Sequence, residues 1–433
     1  MIRYKNRKIK PLLMKGGFGL EKEALRILED GTFSHSPHPF PGHPKMVRDF
    51  CENQLEINTG VSDTPEEAVE ELEAFERLAR EKLLTLETAE RLWPFSNPPY
   101  IRNEEDIPVA RFEGAFCEKT RYRNYLARNY GRTKMTFCGI HVNFSLSEDL
   151  LREDFAFSGE KDYESYRNGI YLGMARNLME NGWIANVLLS ASPLLDRSFL
   201  TKGLRGGADF LGMASIRCSE LGYWNHFVPT FDFASLQGYA ESIRSYIREG
   251  LLTSHTELYY PIRIKSRGEN SLDELVRTGV DHLELRCVDL NPFAFGGLDI
   301  RDLKFLHLLF VYDACLEPVP ASREWQIKTV MNFKNAARYD IDGTFLMRRD
   351  REVVSVREAS LGLLRDMQIF FDGLGIDTEK IMDYQLSKLL VPGNRYAERV
   401  RAMFSDDFVE KGLQWMKEKE DGGLKEGAPG LAD

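Results

Sequence analysis

The chain has 433 residues, of which 43% are hydrophobic and 29% charged, and a formal net charge of −10. These values describe a folded, water-soluble protein of one large domain or two to three smaller ones, and they exclude a disordered or fibrous class. A net negative surface disfavours nucleic acid and anionic membrane as partners, no apolar run reaches membrane-spanning length, and an acidic site for cations remains compatible.

The start, Met1 to Lys15, is basic, but its only apolar piece is Pro11-Leu12-Leu13-Met14, too short for a signal-peptide core. The expected location is therefore cytoplasmic. Gly16-Gly17-Phe18-Gly19 resembles a phosphate-cradling loop, although a glycine cluster ahead of a strand reads more simply as a turn. Glu21 and Glu23 follow; as i and i+2 positions of a strand they point to one side, where two like charges call for a cation or for water. In Asp49 to Asn58, Glu52, Gln54 and Glu56 share a face and Leu55 and Ile57 oppose it. Asp49 falls off that face and needs a bend or bulge to join it.

Thr64-Pro65-Glu66-Glu67 combines an N-cap, a first-turn proline and a capping-box glutamate, and Val69, Leu72, Phe75 and Leu78 continue at helical spacing. The acidic run Glu66 to Glu73 reads as a solvated face of this helix. Trp93 to Tyr100 is rich in proline and aromatics, the composition of a rigid extended connection. A third strand carries His141 and Asn143 on one side and Ile140, Val142 and Phe144 on the other. Helical periodicity marks Glu164 to Leu189, Phe233 to Glu249, Ser271 to Val276, Arg301 to Leu316 and Arg357 to Phe371. A fourth strand, His282 to Asp289, alternates Glu284 and Arg286 with Leu283, Leu285 and Cys287. This period-two pattern is that of a sheet packed on one face and wet on the other.

From about Asn335 the strand-like alternation fades and helices dominate. The expected organisation is a catalytic body over 1–334, a helical portion over 335–416 packed on it, and a mobile tail over 417–433. The six cysteines contain no Cys-x-x-Cys pair and fit a reduced, cytosolic protein. Cys138 lies near His141 in sequence, but three residues along a strand puts the two on opposite faces.

Glu21, Glu23, Asp49, Glu56, His141 and Glu284 amount to five carboxylates and one imidazole, an oxygen-rich set that suits Mg²⁺ or Mn²⁺ rather than structural zinc. Such ions clamp nucleotide phosphates, and Arg217 and Arg286 would add fixed positive charge. Neither a P-loop nor the protein-kinase motif set occurs.

The stretches Gly19 to Glu23, Asp49 to Glu56, Leu92 to Ser96, Gly139 to Leu146, Ser215 to Tyr223 and Glu284 to Phe293 resemble, in this order, bacterial glutamate–cysteine ligase. The resemblance runs from about residue 16 to 320. It implies an α+β, glutamine-synthetase-like fold: a curved antiparallel (mixed) sheet forming a funnel, flanked by helices. It also implies an ATP-dependent ligase, requiring Mg²⁺ with Mn²⁺ as a substitute, that joins glutamate to an amine through γ-glutamyl phosphate, with cysteine the leading acceptor. The implied metal ligands are Glu21, Glu23, Asp49, Glu56, His141 and Glu284. Arg286 would lie near the transferring phosphoryl group, Arg217 on a substrate carboxylate and Arg123 within reach of phosphate. Phe50, Tyr122, Leu126, Asn143, Tyr223 and Tyr259 would form the acceptor pocket.

Two departures fall near that pocket: Met135 stands where the family has a glutamine, and Glu113-Gly114-Ala115-Phe116 replaces a Ser-Asn-x-Gly stretch. Met135 lacks an amide's directional hydrogen bonds, which motivates the rival reading of a ligase for a different amine. A non-catalytic nucleotide- or metabolite-binding protein is the rival from another class. Little chain remains after residue 320 for a second ATP-binding ligase domain, so a second synthetase activity is not expected.

Overall fold

In a computed structural model, residues 1–421 are described. The strands are β1 (Gly16–Ile27), β2 (Met46–Arg48), β3 (Gln54–Asn58), β4 (Arg91–Leu92), β5 (Ile140–Leu146), β6 (Leu194–Leu195), β7 (Asp209–Phe210), β8 (Ile262–Ser266), β9 (Val280–Val288), β10 (Phe345–Met347) and β11 (Val353–Ser355). The main sheet has seven strands in the order β2-β3-β1-β5-β9-β8, with β4 added at the end of β1, and its pairings are antiparallel. The expected α+β class with an antiparallel sheet is therefore present.

Alternation divides β1 between two environments. Phe18 and Leu20 face a layer of helices, where Phe18 meets the His307 ring at 4.8 Å and Phe144 of β5 stacks on Phe310 at 4.8 Å. Lys22 points the same way and is buried in an ion pair with Glu76 of helix Pro65–Leu84 at 2.6 Å. Glu21 and Glu23 take the opposite face. That helix starts as its sequence dictates, with the Thr64 hydroxyl accepting from Glu67 N at 3.2 Å. Helices Tyr163–Asn181 and Ile300–Cys315 complete the layer.

Several expectations need correction. Gly16 to Gly19 form neither a turn nor a phosphate loop; they pair in register with β5, and a Cβ on Gly16 would stand 2.6 Å from the Phe144 ring. Asp49 to Asn58 is not one strand, because a tight hairpin turn between β2 and β3 occupies residues 49–53. Glu164 to Leu189 breaks at Gly182 into Tyr163–Asn181 and Ile184–Leu188, and the backbone there closes on the Leu178 carbonyl so tightly that a Cβ would lie 2.5 Å from it. Beyond residue 335 the hairpin β10–β11 interrupts the helices.

Residues 417–421 are no loose tail. They end helix Phe408–Asp421, which is held by buried Met416 and by Trp415 Nε1 donating to Pro292 O at 3.1 Å. The rest of the expected tail, 422–433, lies outside the described residues. The Trp93–Tyr100 loop is buried, with the Trp93 and Phe95 rings packed on Phe408 and the Ser96 hydroxyl accepting from Leu290 N at 2.8 Å. Among the described residues no helix is long and apolar enough to cross a membrane.

Candidate functional site

The polar face of β1, β5 and β9 brings three of the sequence candidates together. Glu21, His141 and Glu284 place one potential ligand atom each within 4.8 Å of one another. His141 sits opposite Glu21 in register, and its Nδ1 lies 3.1 Å from Glu21 Oε2 and 3.4 Å from Glu284 Oε1. Arg286 Nη1 also stands 3.4 Å from Nδ1, but the closer Glu21 carboxylate assigns Nδ1 the proton, which leaves the Nε2 lone pair directed into the site. Nε2 has no hydrogen-bond partner and lies 4.0 Å from Glu23 Oε1. Burial, followed by the Arg286 charge, holds the His141 pKa below its usual value, so the ring is neutral.

The remaining carboxylates adjoin this trio. Glu23 is buried, accepts from Gly139 N at 3.0 Å, and has its pKa pushed up to about 8, first by burial and then by the charge on Asp49. Burial, then Asp49, Glu21 and Glu23, raises Glu56 well above the carboxylate range. Asp49 reaches the face through the expected bend, supplied by the β2–β3 turn, where its N–H donates to Gln54 O at 3.2 Å. Glu284 goes the other way. Burial would raise it, but Arg286 at 2.8 Å, Lys265 at 3.7 Å, His141 and Arg263 together hold it well below the usual range.

A divalent cation fits these residues. The donors are mostly carboxylate oxygens with one neutral imidazole, buried Nε2 of His141 and Oε2 of Glu284 accept no hydrogen bond, and Glu23 and Glu56 are under mutual repulsion that a cation would relieve.

Arg217 is buried and packs on Gly139, where a Cβ would stand 2.2 Å from its Cζ. Its guanidinium donates to Arg286 O at 2.9 Å and Val288 O at 3.4 Å, its Nε is unpartnered, and among the described residues no carboxylate lies within ion-pair distance. Arg217 and Arg286 line a cleft with Tyr223, Tyr259, Trp224 and Cys287. The Tyr223 and Tyr259 rings meet edge to face at 4.9 Å.

Other candidates are placed elsewhere. Asn143 belongs with the carboxylates, donating to Glu21 Oε1 at 3.0 Å, rather than with the tyrosines. Arg123 donates through Nε to Asp49 O and through Nη2 to Arg48 O, and so braces the turn that carries Asp49. Phe50, Leu126 and Met135 are buried in the main apolar core. Tyr122, on helix Cys117–Tyr130, is half-buried against the main core. Gln54 is structural, linking Cys51 N to Phe137 O. Cys138 is buried and its thiol pKa is driven well up by burial, so it has no nucleophilic character. All six cysteines are free.

Sequence reading missed Lys265 and Arg263, both next to Glu284. Their signal was present in Ile262-Arg263-Ile264-Lys265, an alternation of the same period as the other strands.

Comparison with known proteins gives consistent matches. The family model for glutamate–cysteine ligase matches residues 2–336. The glutathione biosynthesis bifunctional protein GshAB of Listeria monocytogenes serotype 4b is 32% identical, the match covering 95% of this chain and 56% of the relative. The same-named protein of Clostridium perfringens is 34% identical over 71% of this chain and 41% of its own length. The chain thus spans about half the length of the curated relatives it matches. The crystal structure of a bifunctional glutathione synthetase from Pasteurella multocida superposes with a TM-score of 0.81 at 27% identity, covering 97% of this chain and 54% of that one. The glutamate–cysteine ligase of Francisella tularensis, solved in complex with AMP, gives a TM-score of 0.82 over 94% of this chain and 89% of that one; at 20% identity it speaks to the fold.

Proposed function

Because the chain belongs to the glutamate–cysteine ligase family, we propose that it joins the γ-carboxylate of glutamate to the amine of cysteine at the expense of ATP. The observation that carries this reading is the Glu21–His141–Glu284 cluster, with Arg286 on Glu284 and an unpaired Arg217 beside it.

In the first step a γ-carboxylate oxygen of glutamate attacks the terminal phosphorus of ATP, the bond to the ADP oxygen breaks, and γ-glutamyl phosphate forms. In the second, the acceptor's amine attacks the acyl carbon, the bond to phosphate breaks, and the nitrogen loses a proton. Phosphate leaves far more readily than oxide. Arg286 provides fixed positive charge for the phosphoryl group, and Arg217 holds a substrate carboxylate. Glu21, Glu23, Asp49, Glu56, His141 and Glu284 would hold Mg²⁺ or Mn²⁺, which offsets the charge of the triphosphate. Tyr223 and Tyr259 line the acceptor side of the cleft, Tyr122 adjoins Tyr259, and Phe50, Leu126 and Met135 contribute as core residues rather than as contacts. Arg123 serves by holding the Asp49 turn.

We propose a division into a body over 1–334 and a largely helical portion from 335 onward; the end of the family match at residue 336 supports that boundary. Six free thiols fit a cytoplasmic protein working on small metabolites.

The test is ADP release by the purified protein with glutamate and a panel of acceptors: cysteine, other amino acids and simple amines. A preference for cysteine supports the reading; equal rates across the panel would sink the assignment of cysteine, and no turnover with any acceptor would sink the ligase. Gly139→Ala probes Arg217 separately. Its Cβ must displace the guanidinium, so the KM of the substrate that Arg217 holds should rise roughly 10–100-fold, as measured by steady-state kinetics. Unchanged KM values for all substrates would remove Arg217 from the site.

A further inference from the structure

We infer that Glu257 is a positioning residue for the amine acceptor, the buried anchor that fixes the tyrosine wall of the cleft; this rests on the ligase reading above. Glu257 is fully buried, yet among the described residues no cation lies within ion-pair distance of it. A buried carboxylate of this kind must be compensated by neutral donors. Oε1 accepts from Tyr125 OH at 3.0 Å, Tyr130 OH at 2.8 Å and Asn129 Nδ2 at 3.5 Å. Oε2 accepts from Thr253 N at 2.6 Å and from the Thr253 hydroxyl.

These donors come from helix Cys117–Tyr130 and from the turn that leads into β8, and the anchor reaches a third segment through its backbone. Glu257 O accepts from Asn225 Nδ2 at 2.8 Å, and Asn225 Oδ1 accepts from Tyr259 N at 2.9 Å. Tyr130, held by the carboxylate, meets the Tyr259 ring edge to face at 5.2 Å, and Tyr259 meets Tyr223 in turn. The Glu257 carboxylate therefore sets the ring of Tyr259 through Tyr130, while the Glu257 main-chain carbonyl sets its backbone through Asn225. The same turn is tied to the metal face, because Arg263 donates to Thr256 O at 2.8 Å and pairs in register with Glu284.

Glutamine at 257 keeps the volume but turns one acceptor atom into a donor, so either the two tyrosine hydroxyls or Thr253 lose their acceptor. In Glu257→Gln, the KM for cysteine should rise about tenfold or more while the KM values for ATP and glutamate stay within about twofold. Tyr130→Phe and Tyr125→Phe each remove a single hydroxyl donor, and a smaller rise in the cysteine KM is expected in each. They carry the test if Glu257→Gln does not fold. A uniform change in all three KM values, or a fall in kcat alone, would mean that Glu257 only stabilises the fold and would overturn the inference. Wild-type protein that forms no γ-glutamyl amide with any acceptor would overturn the ligase reading, and this inference with it. Active wild type without the acceptor-specific shift overturns the inference alone.

Discussion

Replacing Glu21 with glutamine is expected to lower turnover by roughly 10³-fold or more while leaving the melting temperature almost unchanged. Two observations make this the cleanest charge probe in the site. Glu21 is partly exposed, and its two contacts can both survive the change: an amide oxygen still accepts from Asn143 Nδ2, now at 3.0 Å, and an amide N–H can meet His141 Nδ1, now at 3.1 Å, once the ring proton moves to Nε2. What is lost is one negative charge in the proposed cation cluster and the Nε2 lone pair directed into it. Glu284→Gln makes a poorer probe, because it also strips Arg286 and Lys265 of the carboxylate that balances them. Near-normal turnover of the Glu21 variant would remove this residue from the chemistry.

The second large effect is on stability. Arg26 and Glu90 are both fully buried and pair at 2.7 Å, and Arg26 also donates to Ser36 O at 2.9 Å and Glu52 O at 3.0 Å. Arg26→Met leaves the Glu90 carboxylate, among the described residues, with the Ser34 hydroxyl at 2.6 Å, and strands those two carbonyls. The expected loss is about 3–5 kcal/mol in denaturant unfolding. Removing both charges, as in Arg26→Met with Glu90→Leu, should recover part of that loss, because no lone charge then stays buried. A single variant as stable as the wild type would contradict the assignment of this pair as a fixed point beneath β1.

The strands were legible because their alternation is strict. Glu21 and Glu23 oppose Leu20 and Lys22, His141 opposes Val142, and Glu284 opposes Leu285, so one face could be read off before any register was known. Lys22 shows the limit of that reading, since a charged residue on the packed face is explained only by Glu76, 54 residues away. Asp49 needs a bend to join the polar face, and the turn between β2 and β3 supplies it. Its turn is held by Arg123, whose contact with the Asp49 carbonyl spans 74 residues and leaves no trace in local pattern.

Glu257 was invisible for a related reason. It sits in a short turn without periodicity, and its meaning depends on tyrosines brought from a helix 127 to 132 residues earlier. Helix Cys117–Tyr130 was itself missed, because its polar sequence has few buried positions and so a faint apolar stripe. The hairpin β10–β11 is too short to announce a period.

The central claim is phosphoryl transfer to the γ-carboxylate of glutamate, and oxygen labelling tests it most directly. With glutamate carrying ¹⁸O in both γ-carboxylate oxygens, and with unlabelled ATP and cysteine, each turnover should release inorganic phosphate bearing one ¹⁸O atom, detected by mass spectrometry. Release of unlabelled phosphate alongside amide formation would contradict the account.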